Sequence, residues 1–144
     1  MDYMKEAIKE AQKAYENDEV PVGAVIVHDG KIIARGYNKK EKKQDATEHA
    51  EIVAIRKAAK KLGTWRLNDC DIYVTLEPCP MCSGAIINSR IHKLIFGAYD
   101  LKGGCVTSKV KLFEKGLFNH NVEIEEMPIK ESEKLLKDFF SSRR

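Results

Sequence analysis

The chain has 144 residues, of which 43% are hydrophobic and 33% charged, and its formal net charge is +3. The length is typical of one domain, the composition excludes a disordered segment, and no apolar stretch approaches the roughly 20 residues of a transmembrane helix. Because the N-terminus lacks an apolar signal core, we expect a cytoplasmic protein, in which paired disulfides are rare. The four cysteines then need another role, and two of them are spaced Cys-x-x-Cys.

Hydrophobic periodicity predicts a helix followed by a hairpin and a second helix in the first half of the chain. Apolar residues at helical spacing indicate a helix over 2–17, and β-branched residues indicate strands over 22–27 and 31–37, joined by a turn at Asp29-Gly30. Residues 38–47 are polar and predict a loop. Asp45 and Glu48 fit a capping box, so a helix is expected from there to about Lys61.

The second half predicts the same alternation. The expected elements are a strand over 71–76, a helix from Pro80 to about Ser89, a strand over 93–98, a Gly-rich loop over 99–108, a short helix over 109–115, a strand over 122–126 and a last helix opened by Pro128. Strands interleaved with helices favour an α/β layered sandwich, and we expect residues 1–144 to form a single domain.

Two short motifs carry candidate ligands of a metal ion. His49-Ala50-Glu51 and Pro78-Cys79-Pro80-Met81-Cys82 each lie at the predicted N-terminus of a helix. Zinc prefers thiolate sulfur and imidazole nitrogen, and a helix N-terminus lowers the pKa of a thiol. Cys79, Cys82 and His49 therefore form a candidate ligand set, and no fourth ligand is evident. Three protein ligands with one open position are typical of a catalytic zinc site.

Glu51 lies two residues after His49 and completes this group. Bound zinc brings the pKa of its water to about 7, and a nearby carboxylate can carry that proton to a leaving group. The arrangement suits hydrolysis at an sp² carbon with an amine leaving group. A Cys-x-x-Cys pair alone is also found in redox pairs and structural zinc sites. A structural-zinc RNA-binding module without catalysis is a further hypothesis, which Glu51 and the missing fourth ligand disfavour.

The positive charge is concentrated in one segment. Between Lys31 and Lys43 six cations stand against one anion, and the chain ends Arg143-Arg144. These residues form either a solvated loop and tail or a surface that contacts phosphates of an anionic substrate.

The sequence resembles a known enzyme family over almost its whole length. His-x-Glu followed by Pro-Cys-x-x-Cys is the signature of the zinc-dependent nucleoside deaminases. Further segments are similar to the bacterial tRNA-specific adenosine deaminases: Pro21-Val22-Gly23-Ala24, Asn38, Gly63-Thr64-Trp65-Arg66-Leu67, Thr75-Leu76-Glu77-Pro78, Ser89-Arg90, Phe96-Gly97-Ala98, Asp100-x-Lys102-Gly103-Gly104-Cys105, Phe118-Asn119-His120 and Phe139-Phe140.

The resemblance implies a fold, an activity and a set of roles. It implies a three-layer α/β/α sandwich with a five-stranded mixed sheet, a homodimer, and conversion of the wobble adenosine of a tRNA anticodon to inosine. One zinc ion per chain would be held by His49, Cys79 and Cys82, with Glu51 as the proton shuttle. The residues implied to contact the flipped nucleoside or the anticodon loop are Asn38, Ala50, Glu77, Asp100, Lys102, Phe139 and Phe140; for the two phenylalanines, core packing is the alternative.

Two segments depart from the family pattern. Val106-Thr107-Ser108-Lys109-Val110-Lys111 and Glu125-Glu126-Met127-Pro128 replace stretches that usually hold small residues and glycine. These replacements leave the zinc motifs unchanged, but they affect the choice of substrate. A zinc-dependent deaminase of a free nucleobase or nucleoside is therefore the alternative function.

Overall fold

A computed structural model describes residues 1–143 of the chain, so Arg144 of the basic terminus lies outside the described residues. Ten helices and strands follow one another in these residues: α1 (Tyr3–Glu16), β1 (Gly23–His28), β2 (Lys31–Tyr37), α2 (Lys40–Lys43), α3 (Ala50–Leu62), β3 (Cys70–Val74), α4 (Pro80–Asn88), β4 (Lys93–Phe96), β5 (Glu123–Glu126) and α5 (Lys130–Ser141).

The strands form one mixed sheet in the order β2-β1-β3-β4-β5. β1 pairs antiparallel with both β2 and β3, whereas β3, β4 and β5 run parallel. The register places Ala24 opposite Val74, so the start of β1 lies beside the end of β3. The expected five-stranded mixed sheet is confirmed.

Helices cover both faces of this sheet, and two glycines allow their close approach. A Cβ atom on Gly23 would lie 2.1 Å from the carbonyl oxygen of Ala7 in α1. A Cβ on Gly36 would lie 2.5 Å from the carbonyl oxygen of Ala50 in α3. Alternate residues of β1 accordingly divide between two cores, with Val25 and Val27 packing beside α1 and Ala24 and Ile26 packing on the other side.

Three sequence-based predictions about local structure are wrong. Asp45 does not cap a helix, because its Oδ1 accepts from the N–H and hydroxyl of Thr47 at 2.8 and 2.7 Å, and the helix begins only at Ala50. The polar stretch 38–47 contains the four-residue helix α2. Residues 109–115 form turns, since Lys109 and Leu112 donate their N–H groups to the carbonyls of Gly104 and Cys105.

The last helix begins two residues later than Pro128 predicts. Met127 and Ile129 still donate to the carbonyls of Phe96 and Gly97, at 2.9 and 3.0 Å, so the backbone continues along β4 before it turns. Within residues 1–143, none of the helices has the length and apolar character that crossing a membrane requires.

Candidate metal centre and active site

The N-termini of two helices meet and bring the two motifs together. His49 is the N-cap of α3, Cys79 is the N-cap of α4, and Cys82 lies in the first turn of α4. Pro80 occupies the first turn of α4, where its missing N–H costs no helical hydrogen bond. The structure thus brings these three side chains together, and their role as metal ligands stays a prediction.

The ligand atoms have the spacing that a tetrahedral ion requires. The Nδ1 atom of His49 lies 3.6 Å from the Sγ atoms of both Cys79 and Cys82. All three ligand atoms lie within 4.8 Å of one another. Metal–sulfur and metal–nitrogen bonds of the lengths usual for zinc, at tetrahedral angles, place sulfur and nitrogen about 3.6 Å apart. These residues could therefore hold such an ion without rearrangement.

The two thiols differ in their readiness to ionise. The S–H of Cys82 and the ring of His49 stabilise the Cys79 thiolate, which lowers the pKa of Cys79 to about 4. The pKa of Cys82 is raised, first by its hydrogen bond to Cys79 and then by burial. The thiolate of Cys79 in turn raises the pKa of His49. The centre thus carries a thiolate, the form in which cysteine binds a metal.

Glu51 is buried beside these ligands, with 3% of its surface exposed. Burial raises the pKa of its carboxyl group from the ordinary 4.5 to about 7, although its own backbone N–H favours the charged form. A carboxyl group with a pKa near the working pH both accepts and donates a proton readily. Its position and its pKa therefore suit a proton carrier.

A cleft of about 160 Å³ opens above this group. Of the residues that the resemblance implies to contact the substrate, Asn38, Ala50, Glu77 and Asp100 line it. Lys102 is exposed and lies outside the lining, two residues after Asp100. Phe139 and Phe140 lie on α5, also outside the lining. Phe139 is buried edge-on against Tyr15, whereas Phe140 is 55% exposed. The RNA contacts of these last three residues stay predictions.

The side chain of Glu77 is engaged with the protein. It is 2% exposed, and its two oxygens accept from the N–H groups of Asp100, Val106, Thr107 and Ser108 and from the Ser108 hydroxyl, over 2.5–3.1 Å. Burial alone would raise the pKa of Glu77, but the hydroxyl and backbone donors outweigh it, and the pKa is lowered. Glu77 therefore anchors the loop of residues 100–108, including the first residues of one unusual segment.

The sequence analysis did not single out four residues of the cleft lining. Val20, Val22 and Leu76 contribute apolar wall, and Lys40 contributes a cation at the mouth. The three apolar residues flank strands and carry no signal that separates them from core residues. Lys40 is one of several adjacent lysines, and the sequence alone does not indicate which of them faces the cleft.

The cations of the basic segment and of the C-terminus have different surroundings in the structure. Arg35 pairs with Glu6 and Glu10 of α1, which neutralises it away from the cleft. Arg143 pairs with Asp18 and stacks on the ring of Phe139. Of the six cations between residues 31 and 43, Lys40 lines the cleft.

Comparisons with known proteins identify the family of this chain. The model of the MafB19-like deaminase family matches residues 1–144. The tRNA-specific adenosine deaminase of Bacillus subtilis is 55% identical over 85% of this chain and 76% of its own length. That of Aquifex aeolicus is 46% identical over 99% of this chain and 94% of its own.

Solved structures give the same result. One from a study of A-to-I editing by tRNA:A34 deaminases at the wobble position superposes with a TM-score of 0.89 at 46% identity, covering 93% of this chain and 98% of the other. A guanine deaminase from Nitrosomonas europaea, with a TM-score of 0.83 at 22% identity over 96% of this chain and 83% of its own, shares the fold. The chain belongs to the MafB19-like deaminase family, among the tRNA-specific adenosine deaminases.

Proposed function

We propose that this protein deaminates adenosine to inosine at the wobble position of a tRNA anticodon, with one zinc ion per chain. The observation that carries the proposal is the group of His49, Cys79 and Cys82 beside buried Glu51 at the floor of a base-sized cleft. The relatives named above supply the substrate, because their names specify tRNA and adenosine.

The donor set fits zinc in chemistry and spacing. Two thiols and one imidazole are the ligands that zinc prefers, and their separations match a tetrahedral ion. His49, Cys79 and Cys82 would hold the ion, and the described residues offer no fourth ligand within the same group. Zinc held by three side chains supplies a Lewis acid that makes water acidic enough to ionise near neutral pH.

Glu51 would move the proton. Its carboxylate oxygen accepts a proton from the attacking water and delivers it to the amine that leaves C6 of adenine as ammonia. Its burial supports this role, because a carboxyl group whose pKa is about 7 releases and takes up a proton at similar cost. The protein thereby exchanges an amino group for oxygen, with water as the only co-reactant.

The walls of the cleft would hold the base and its neighbours. Val20, Val22 and Leu76 offer apolar surface against which a flipped base can pack. Asn38 supplies an amide, although its Oδ1 already accepts from the N–H of Lys40 at 3.1 Å. The adjacent lysines supply positive charge for the phosphates of the anticodon loop.

The proposal also covers the domain organisation, the association and the location of the protein. We infer that residues 1–144 form one domain, that two copies associate, and that the protein acts in the cytoplasm where tRNA is used. Several large apolar side chains between residues 99 and 118 are exposed, which supports association: Tyr99, Leu101, Val110, Leu117 and Phe118. Analytical ultracentrifugation measures the association directly, and a monomer at micromolar concentration would contradict it.

The decisive experiment compares substrates. The zinc-loaded protein is incubated with an anticodon stem-loop carrying adenosine at the wobble position, with the same stem-loop carrying that adenosine one position away, and with free adenosine, cytidine and guanine. We expect a mass increase of one unit, for NH₂ replaced by OH, in the first substrate alone. Deamination of a free base or nucleoside with no reaction of the stem-loop would favour the alternative function.

A further inference from the structure

A buried carboxylate lies between α1 and β1, outside the group that performs the chemistry. Glu19 is 1% exposed, and an ionised carboxylate at such a position is costly unless hydrogen bonds satisfy its oxygens. Its Oε1 accepts from the N–H of Glu41 at 3.0 Å and its Oε2 accepts from the N–H of Lys42 at 2.7 Å. Both oxygens therefore bind the backbone of α2.

The segment that Glu19 binds is too short to be a stable helix on its own. α2 has only four residues, far below the length at which an isolated helix is stable. It carries three lysines and follows a fourth, so like charges act against its compact form. The first N–H groups of a helix have no partner within it, so a carboxylate that accepts from them is favourable. Glu19 supplies that partner from a distant part of the sequence.

The same segment forms one wall of the cleft. We define the rim segment as residues 38–43, which includes Asn38 and Lys40 of the lining. Asn38 donates its backbone N–H to the carbonyl of Val22 at 3.2 Å, and Lys39 donates to the carbonyl of Glu48 at 2.9 Å. These two bonds fix only its first residues. The later residues, from Glu41 onward, are tied to the body of the protein through Glu19.

We propose that Glu19 is a positioning residue, whose carboxylate holds the rim segment in the conformation that presents Asn38 and Lys40 to the substrate. It acts on affinity more than on the rate of the chemical step, because the proton carrier and the candidate metal ligands lie on other elements. The effect on affinity rests on the function proposed above, whereas the effect on the conformation of the rim segment does not.

Limited proteolysis tests the conformational part on the zinc-loaded protein. The rim segment holds four lysines, so trypsin cleaves it wherever it opens. Glu19→Gln keeps the shape of the side chain but replaces one acceptor oxygen with an amide group that cannot accept. We expect cleavage after residues 39–43 to become about tenfold faster, as loss of a charged hydrogen bond implies. Glu19→Asp keeps the charge with a shorter reach and should be intermediate.

Glu16→Gln is the matched control, because it removes the same charge from an exposed glutamate three residues away. It should leave the cleavage rate unchanged. Equal cleavage of Glu19→Gln and Glu16→Gln would overturn the proposal. So would a Glu19→Gln variant that is unfolded at 25 °C by circular dichroism, since Glu19 would then support the core and not one segment.

Kinetics test the functional part. For the anticodon stem-loop we expect Glu19→Gln to raise KM about tenfold, with kcat within about twofold of the parent and with unchanged zinc content. A fall in kcat with KM unchanged would overturn the assignment to positioning. If no variant, including the parent, deaminates the stem-loop, the proposed function fails while the proteolysis result still decides the role of Glu19.

Discussion

The floor and the walls of the cleft are built in different ways. The floor consists of His49, Glu51, Cys79 and Cys82, which stand on the N-termini of α3 and α4. The walls include the rim segment, which contains the four-residue helix α2, and the irregular loop of residues 100–108, and both are held by buried carboxylates from other parts of the chain. Glu19 binds the first and Glu77 binds the second.

This difference separates the chemistry from the recognition of the substrate. Residues on the floor lie in two short motifs, each ordered by a helix start, and the two motifs meet across 30 and 33 residues of the chain. Residues on the walls depend on contacts between positions more than 20 residues apart in the chain. Changes to the floor should therefore abolish metal binding or catalysis, and changes to the wall anchors should alter stability and affinity.

The largest effect is expected for Cys82→Ser, because a hydroxyl is a poor zinc ligand and Cys82 is fully buried within the ligand group. Both zinc content and deamination should fall to background, a loss larger than the roughly 10²–10⁴-fold contribution of a general acid–base group. Elemental analysis and the stem-loop assay measure the two quantities. Full zinc content in this variant would mean that the ligand set is wrong. Cys70→Ser, at a buried cysteine outside the group, is the control.

Glu51→Gln should have the next largest effect. The amide occupies the same space but cannot carry a proton, so kcat should fall by about 10²–10⁴-fold while zinc content is retained. Single-turnover rates on the stem-loop, together with metal analysis, distinguish this result from loss of the site. Activity close to that of the parent would exclude Glu51 as the proton carrier.

Glu77→Gln should chiefly reduce stability. An amide in place of the carboxylate turns an N–H group toward the backbone donors of residues 100–108, with a cost of about 2 kcal/mol. For a chain of this length that corresponds to a fall in Tm of roughly 5 °C. Calorimetry measures it, with exposed Glu114→Gln as the control. A Tm equal to that of the control would mean that the loop does not depend on this anchor.

The smallest expected effect is the pH dependence of the Tm difference between the parent and Glu77→Gln. The pKa of Glu77 is lowered in the folded protein, so the unfolded chain binds the proton more tightly. The stability it contributes is therefore fully present above the ordinary value of 4.5 and is lost as the pH falls through the lowered pKa. The Tm difference between the parent and Glu77→Gln should shrink below about pH 4.5. A Tm difference that grows as the pH falls would contradict this prediction.

Much of the architecture follows from local patterns. The spacing of Met4, Ala7 and Ile8 predicts α1, and the β-branched run before Asp29-Gly30 predicts the first strand of the hairpin, because both depend on neighbours within a few residues. The helix starts are less well predicted. Asp45 has the right identity for an N-cap but bonds to Thr47 instead, and nothing in the local sequence distinguishes the two outcomes.

By itself, the sequence determined the candidate ligands His49, Cys79 and Cys82, the candidate proton carrier Glu51 and the family, because each motif is a few residues long and helix geometry brings its members together. Only the tertiary structure decided that Lys40 lines the cleft, that Arg35 is neutralised by α1, and that Glu19 and Glu77 bind distant backbone groups. Those outcomes depend on which distant backbone groups need a partner, and that need arises only when the chain has folded.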